Sequence, residues 1–141
     1  MEIKPLILIV EDEADMRENM AEMLKDEYRI RTAASGTEAI EQAKNYQTDL
    51  TTGGVVLLDI RLPDFSGIDV LQKLNDLQAG FNVIMVTAFK DIETAVSAMS
   101  KGAAEYITKP FLMDDLLSTV RRVLDGAYTE RKLELNTRKL E

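Results

Sequence analysis

Four places in this 141-residue chain carry side chains able to do chemistry, and each closes a short apolar or alternating run. Glu11-Asp12-Glu13 follows the run 6–10, Asp59 follows 55–58, Thr87-Ala88 follows 83–86, and Lys109-Pro110 follows 105–108. Polar residues often begin loops, which accounts for any one of these positions but poorly for the set. Glu11, Asp12 and Asp59 at the ends of neighbouring strands would repel, raising each other's pKa values unless something cationic joins them. A hard divalent ion with oxygen ligands meets that need, and Mg²⁺ accepts a few carboxylates plus waters. The same ion would bridge a phosphoryl oxygen and neutralise its charge during transfer. Lys109 adds a second positive group and Thr87 a hydroxyl donor. The set is suited to placing a phosphoryl group on a carboxylate.

Composition removes the competing chemistries. The chain has no His, Cys or Trp, and its 25 acidic against 17 basic residues give a net charge of -8. Without Cys there is no disulfide framework, thiolate nucleophile or Cys-held metal; without His there is no imidazole base and no His-ligated metal. The acidic balance argues against direct contact with a nucleic-acid backbone, which needs a basic face. No apolar run approaches the roughly 20 residues of a membrane span, and Met1-Glu2-Ile3-Lys4-Pro5 is no signal peptide. A cytoplasmic, membrane-free protein is expected.

The elements that must position these residues alternate. Runs 6–10, 55–58 and 83–86 are continuous and aliphatic, as strands buried on both faces are. Runs 29–33 and 105–108 are more polar and belong nearer the sheet edges. Met16, Met20, Met23 and Leu24 recur at helical spacing. Ser35-Gly36-Thr37-Glu38 is a capping box, and Ser66-Gly67-Ile68-Asp69 opens a third helix. Ile92, Ala95, Val96 and Met99 mark a fourth that ends at Gly102, and Leu116, Leu117, Val120, Val123 and Leu124 mark a fifth. Five β–α units in strict alternation predict an α/β fold, a parallel doubly wound sheet with helices on both faces. In such sheets ligands bind beyond the carboxyl ends of the strands, where the four groups lie. Segment 47–54, with Thr51-Thr52-Gly53-Gly54, reads as a surface loop away from that rim.

At this point the residues carry a family likeness. Glu11-Asp12, the segment from Val56-Leu57-Leu58-Asp59-Ile60-Arg61 through Leu62-Pro63-Asp64-Phe65-Ser66-Gly67, Thr87-Ala88 and Lys109-Pro110-Phe111 together resemble a response-regulator receiver domain. The likeness spans residues 3–125. Thr87-Ala88-Phe89-Lys90-Asp91, Ala95-Val96 and Gly102-Ala103 are similar in particular to receivers of bacterial sigma-54-dependent enhancer-binding activators. The resemblance implies the flavodoxin-like strand order 2-1-3-4-5, which the strand patterns alone do not give. It implies Asp59 as phosphoacceptor, with Asp12, Asp59 and the Arg61 backbone carbonyl on Mg²⁺ (Mn²⁺ the alternative ion) and Glu11 on it directly or through water. It further implies Lys109 on the phosphoryl oxygens through a cis Lys109–Pro110 bond, Thr87 moving to the phosphoryl group, and Tyr106 rotating inward after it. Arg61 and Phe89 occupy positions that tune phosphate lifetime, and the bulk of Phe89 implies slow hydrolysis.

The implied function is a phosphorylation switch rather than an enzyme. A partner histidine kinase donates the phosphoryl group, since the chain has no imidazole of its own. The fourth helix, fifth strand and fifth helix then change as a surface, controlling a homodimer, an output domain for transcription activation, or a separate downstream protein. Residues 1–125 form the receiver, and 126–141 a helical extension or the start of a linker. Leu117, Leu124, Tyr128 and Leu135 fall near one helical stripe, with Leu133 and Leu140 seven apart. Two rivals fit less well. An Asp-nucleophile phosphohydrolase of the haloacid-dehalogenase type places a second acid two residues after the nucleophile, and here that residue is Arg61. A flavodoxin-like nucleotide module needs a hydroxyl- and Gly-rich first loop, where Glu11-Asp12-Glu13 would repel phosphate.

Overall fold

Strands that are apolar on both faces are stable only when covered on both, and the three aliphatic runs take the interior of the sheet accordingly. The computed structural model describes residues 4–77 and 81–140, with side chains for all of these except 52 and 127–140. Strands β1 (Leu6–Val10), β2 (Arg29–Ala33), β3 (Val55–Asp59), β4 (Val83–Ala88) and β5 (Glu105–Lys109) form one parallel sheet. Its order is β2-β1-β3-β4-β5, so the two polar strands are its edges. The helices are α1 (Ala14–Leu24), α2 (Gly36–Asn45), α3 (Gln47–Gly53), α4 (Gly67–Leu77), α5 (Ile92–Ser100) and α6 (Met113–Leu140). A 3-10 turn, Phe89–Asp91, precedes α5.

Alternation along each strand splits the core in two. Ile7, Ile9, Val55, Leu57, Ile84 and Val86 pack with Met20 and Leu24 of α1 and Leu116 and Val120 of α6. Leu8, Val10, Val56, Leu58, Val83 and Met85 face the other way, onto Ala39, Leu50, Leu71, Leu74, Ala95 and Ala98 of α2 to α5. Strands β3, β4 and β5 run one to two residues past their apolar stretches, so Asp59, Thr87 and Lys109 lie within the pairing ladder. Their positions are thereby fixed by the sheet.

Helix ends follow the chemistry of their residues. The Ser35 hydroxyl accepts the Glu38 N–H at 3.2 Å, and the Glu38 carboxylate reaches back to the Ala34 N–H at 2.6 Å. The reciprocal half of the box therefore lands one residue before the serine. At the end of α5, Gly102 has φ +106, and the Ala103 N–H bonds the Ala98 carbonyl while the Gly102 N–H bonds that of Met99. This is the left-handed C-terminal motif that glycine permits.

Segment 47–54 corrects the sequence reading: it holds helix α3, not an irregular loop. Its polar, glycine-bearing sequence has weak helix propensity. Tertiary packing supplies what propensity lacks, because Leu50 is buried against the sheet and Asp49 pairs with Arg29 at 3.4 Å. The Thr51 hydroxyl donates back to the Gln47 carbonyl at 2.9 Å. At the other end of the chain, α6 passes through Gly126 without a break. The side chains of Tyr128, Leu133, Leu135 and Leu140 lie outside the described residues. Among the described residues no helix is long and apolar enough to cross a membrane.

If Leu50 anchors α3, Leu50→Ala should lower unfolding free energy by about 2–5 kcal/mol, the cost of truncating a buried leucine. Urea titration with an unchanged slope is the check.

Candidate functional site

The alternation that divides the core also assembles the charged groups. Glu11 continues the face of Ile7 and Ile9, Asp59 that of Val55 and Leu57, and Lys109 that of Ile107. At the carboxyl end of the sheet these three side chains meet. The Lys109 ammonium donates to Glu11 Oε1 at 2.5 Å and to Asp59 Oδ2 at 3.0 Å. Asp59 Oδ1 accepts the Arg61 backbone N–H at 3.2 Å. Oxygens of Glu11, Asp12 and Asp59 all lie within 4.8 Å of one another. The structure thus brings together the three carboxylates and the lysine expected from the sequence, and the Lys109–Pro110 bond is cis.

Burial decides the electrostatics. Glu11 is only 1% exposed, and its second oxygen, Oε2, is buried without a hydrogen-bond partner. Desolvation, helped by the facing Asp59, outweighs Lys109 and pushes the Glu11 carboxyl up to about 8. Burial by itself lowers the Lys109 ammonium, but its hydrogen bonds to Glu11 and Asp59 overcome this and hold it above the usual lysine value. Lys109 is therefore a fixed positive charge at neutral pH. The orphaned Glu11 oxygen beside two further carboxylates is a donor set that suits a hard divalent cation.

Neighbouring groups hold this rim in shape. Arg17, from α1, donates to the backbone carbonyls of Glu11 at 2.8 Å and Asp12 at 3.3 Å, pinning the loop after β1. Gly67 donates to the Ile60 carbonyl at 2.6 Å, and a Cβ there would overlap the Asp59 carbonyl oxygen. Asp64 accepts from the Gly36 N–H at 2.7 Å, the Thr37 N–H at 2.9 Å and the Thr37 hydroxyl at 2.6 Å. The Thr37 hydroxyl and these N–H groups at the start of α2 hold the Asp64 carboxyl at about 2. None of these supports is evident in the sequence, because each joins residues by loop shape rather than by pattern.

Thr87, Tyr106, Arg61 and Phe89 lie around the cluster rather than in it. Thr87 is fully buried, shares the opposite parity with Val83 and Met85, and donates its hydroxyl to the Ala88 carbonyl at 3.1 Å. Tyr106 is half-buried beside the core on that same face. Phe89 is 79% exposed. The Arg61 side chain turns to Asp91, its Nε donating to Oδ2 at 2.8 Å.

Comparison with known proteins gives a consistent result. Residues 7–121 match the model of the response regulator receiver domain. The chain is 35% identical over 119 residues to a probable transcriptional regulatory protein, TcrX, of Mycobacterium tuberculosis, covering 84% of this chain and 49% of that one. It is 32% identical over 141 residues to the C4-dicarboxylate transport transcriptional regulatory protein DctD of Rhizobium meliloti, covering 99% of this chain and 29% of the relative. The chain therefore spans about half or less of the length of these regulators. Among solved structures, the signal receiver domain of a putative LuxO repressor protein from Vibrio parahaemolyticus superposes with a TM-score of 0.82 at 31% identity, covering 94% of this chain and 98% of that one.

The raised Glu11 pKa has a sign that can be checked. Between the ordinary glutamate value of 4.5 and about 8, the folded protein holds a proton that the unfolded chain has released. Stability of chelator-treated protein should then fall as pH rises through that window. Thermal unfolding across pH 4.5 to 8 should show the decline, and Glu11→Gln should flatten it.

Proposed function

The chain belongs to the response regulator receiver domain family, and on that premise we propose that it is a phosphorylation switch with Asp59 as the phosphoacceptor. The observation carrying this reading is the convergence of Asp59 with Lys109 at 3.0 Å inside a three-carboxylate cluster at the sheet rim. An Asp59 oxygen attacks the phosphorus of a partner kinase's phosphohistidine. A new O–P bond forms as the P–N bond breaks, and its electron pair leaves with the imidazole. Lys109, already protonated, takes the phosphoryl oxygens as its hydrogen bonds to the carboxylates loosen. Glu11, Asp12, Asp59 and the Arg61 carbonyl would hold Mg²⁺, which when bound supplies charge neutralisation for the transferring group. The orphaned Glu11 oxygen supports that assignment.

Phosphorylation adds about -1.5 to -2 charges at this rim. The Thr87 hydroxyl, which donates to the neighbouring Ala88 carbonyl, exchanges that bond for a phosphoryl oxygen, and Tyr106 follows inward on the same face. The change biases a pre-existing equilibrium of the loop 88–91 and α5. The surface so altered is α5, β5 and α6, where a second copy, an output domain or a separate protein docks. Among the described residues, the exposed large apolar side chains Phe89, Val96, Met99, Leu112 and Met113 all fall in segment 89–113, which supports that assignment. The extension of α6 serves as the linker to a transcription-activating output, in keeping with the likeness to DctD along nearly the whole chain. The partner kinase and a cytoplasmic site of action complete the reading.

Incubation with Mg²⁺ and acetyl phosphate should add one phosphate mass at Asp59, located by peptide mass spectrometry. Asp59→Asn or a chelator should abolish it; a folded wild-type chain that stays unlabelled would overturn the reading. Phe89→Ala should shorten the half-life of the phosphorylated form if the ring slows attacking water, as radiolabel decay will reveal.

A further inference from the structure

Arg61 and Asp91 are far apart in sequence yet form a two-pronged pair. The Arg61 Nε donates to Asp91 Oδ2 at 2.8 Å, and an Nη donates to Oδ1 at 3.1 Å. The pair joins the loop two residues beyond Asp59 to the turn that follows Thr87. Asp91 also stands at the residue preceding α5, where an aspartate ordinarily accepts an N–H from the first turn of the helix. Here it makes no such bond, since both of its oxygens are turned to Arg61. The Asp91 carboxylate thus serves Arg61 and leaves the capping role its position offers unused. Arg61 lies close to Asp59 as well: its backbone N–H holds that carboxylate, and its pKa is raised first by Asp91 and also by the Asp59 charge.

We propose that Arg61 and Asp91 form a latch that phosphorylation of Asp59 opens by exchange of partners. The guanidinium passes to the phosphoryl oxygens, and the freed Asp91 carboxylate turns onto the N–H of Glu93 or Thr94, capping α5. This rests on the phosphoacceptor reading above and adds a second route from the site to α5, independent of Thr87. The planar fork of arginine suits a phosphoryl group as well as a carboxylate, and the added charge makes the new partner the stronger one. Asp91 gains a cap for the pair it gives up, so the exchange is close to balanced and a single phosphate decides it. Capping fastens the start of α5, between the exposed apolar side chains Phe89 and Val96.

Beryllofluoride, with Mg²⁺, is the probe, and ¹⁵N amide spectra are the readout. Asp91→Asn removes the latch but keeps a side chain able to cap. It should lower the beryllofluoride half-saturation concentration about two- to fivefold, the range for one part-exposed ion pair. In the unliganded protein it should also shift the Glu93 and Thr94 amides toward their activated positions. In an Arg61→Gln background, Asp91→Asn should leave half-saturation unchanged. An unaltered half-saturation in Asp91→Asn, or an equal effect in both backgrounds, overturns the latch while the phosphoacceptor reading stands. A wild-type chain that does not respond to beryllofluoride overturns both.

Discussion

Everything at the rim depends on one ammonium group. Three carboxylates with oxygens within 4.8 Å of one another repel, and a positive charge built in among them eases that repulsion. Lys109 is that charge, bonded to both Glu11 and Asp59 and kept protonated by them. It leaves one Glu11 oxygen unsatisfied. The site is consequently held together but short of positive charge, a condition that favours cation binding. A fully neutralised cluster would be more stable and would have less reason to accept anything.

Much of this was legible from side-chain types alone. The aliphatic runs of β1, β3 and β4 announce strands covered on both faces, and the polar β2 and β5 announce edges; the sheet agrees on each. The convergence of Glu11, Asp12, Asp59 and Lys109 follows from their places at strand ends. Strand order did not follow from pattern, since five similar β–α units can be wound in more than one sequence, and it came with the family likeness. Helix α3 was hidden because its stability lies in the burial of Leu50 rather than in the helix propensity of its residues. The pairing of Arg61 with Asp91 and the capping of α2 by Asp64 were hidden for a related reason: loops meet by the sheet's geometry, and no periodicity marks the meeting.

The two faces of the sheet carry different groups. Glu11, Asp59 and Lys109 belong to the parity that packs on α1 and α6, while Thr87 and Tyr106 belong to the parity that packs on α2 to α5. The charged cluster and the Thr87–Tyr106 pair thus lie on opposite faces of the sheet, and the loops at the carboxyl ends run between them. Arg17 clamps one of these loops, and Asp64 with the close approach at Gly67 sets another.

Strand parity also sets which sequence changes such a protein can survive. Substitution along β1, β3 or β5 alters one contact, but insertion or deletion of a single residue there rotates every later side chain to the opposite face. Glu11, Asp59 or Lys109 would then leave the cluster with all residue types intact. The same event in α3 can displace Leu50 but leaves the alternation of the strands untouched. Length variation among descendants of this chain should therefore collect between β2 and β3, and the strands should keep their reading frame even where their residues drift.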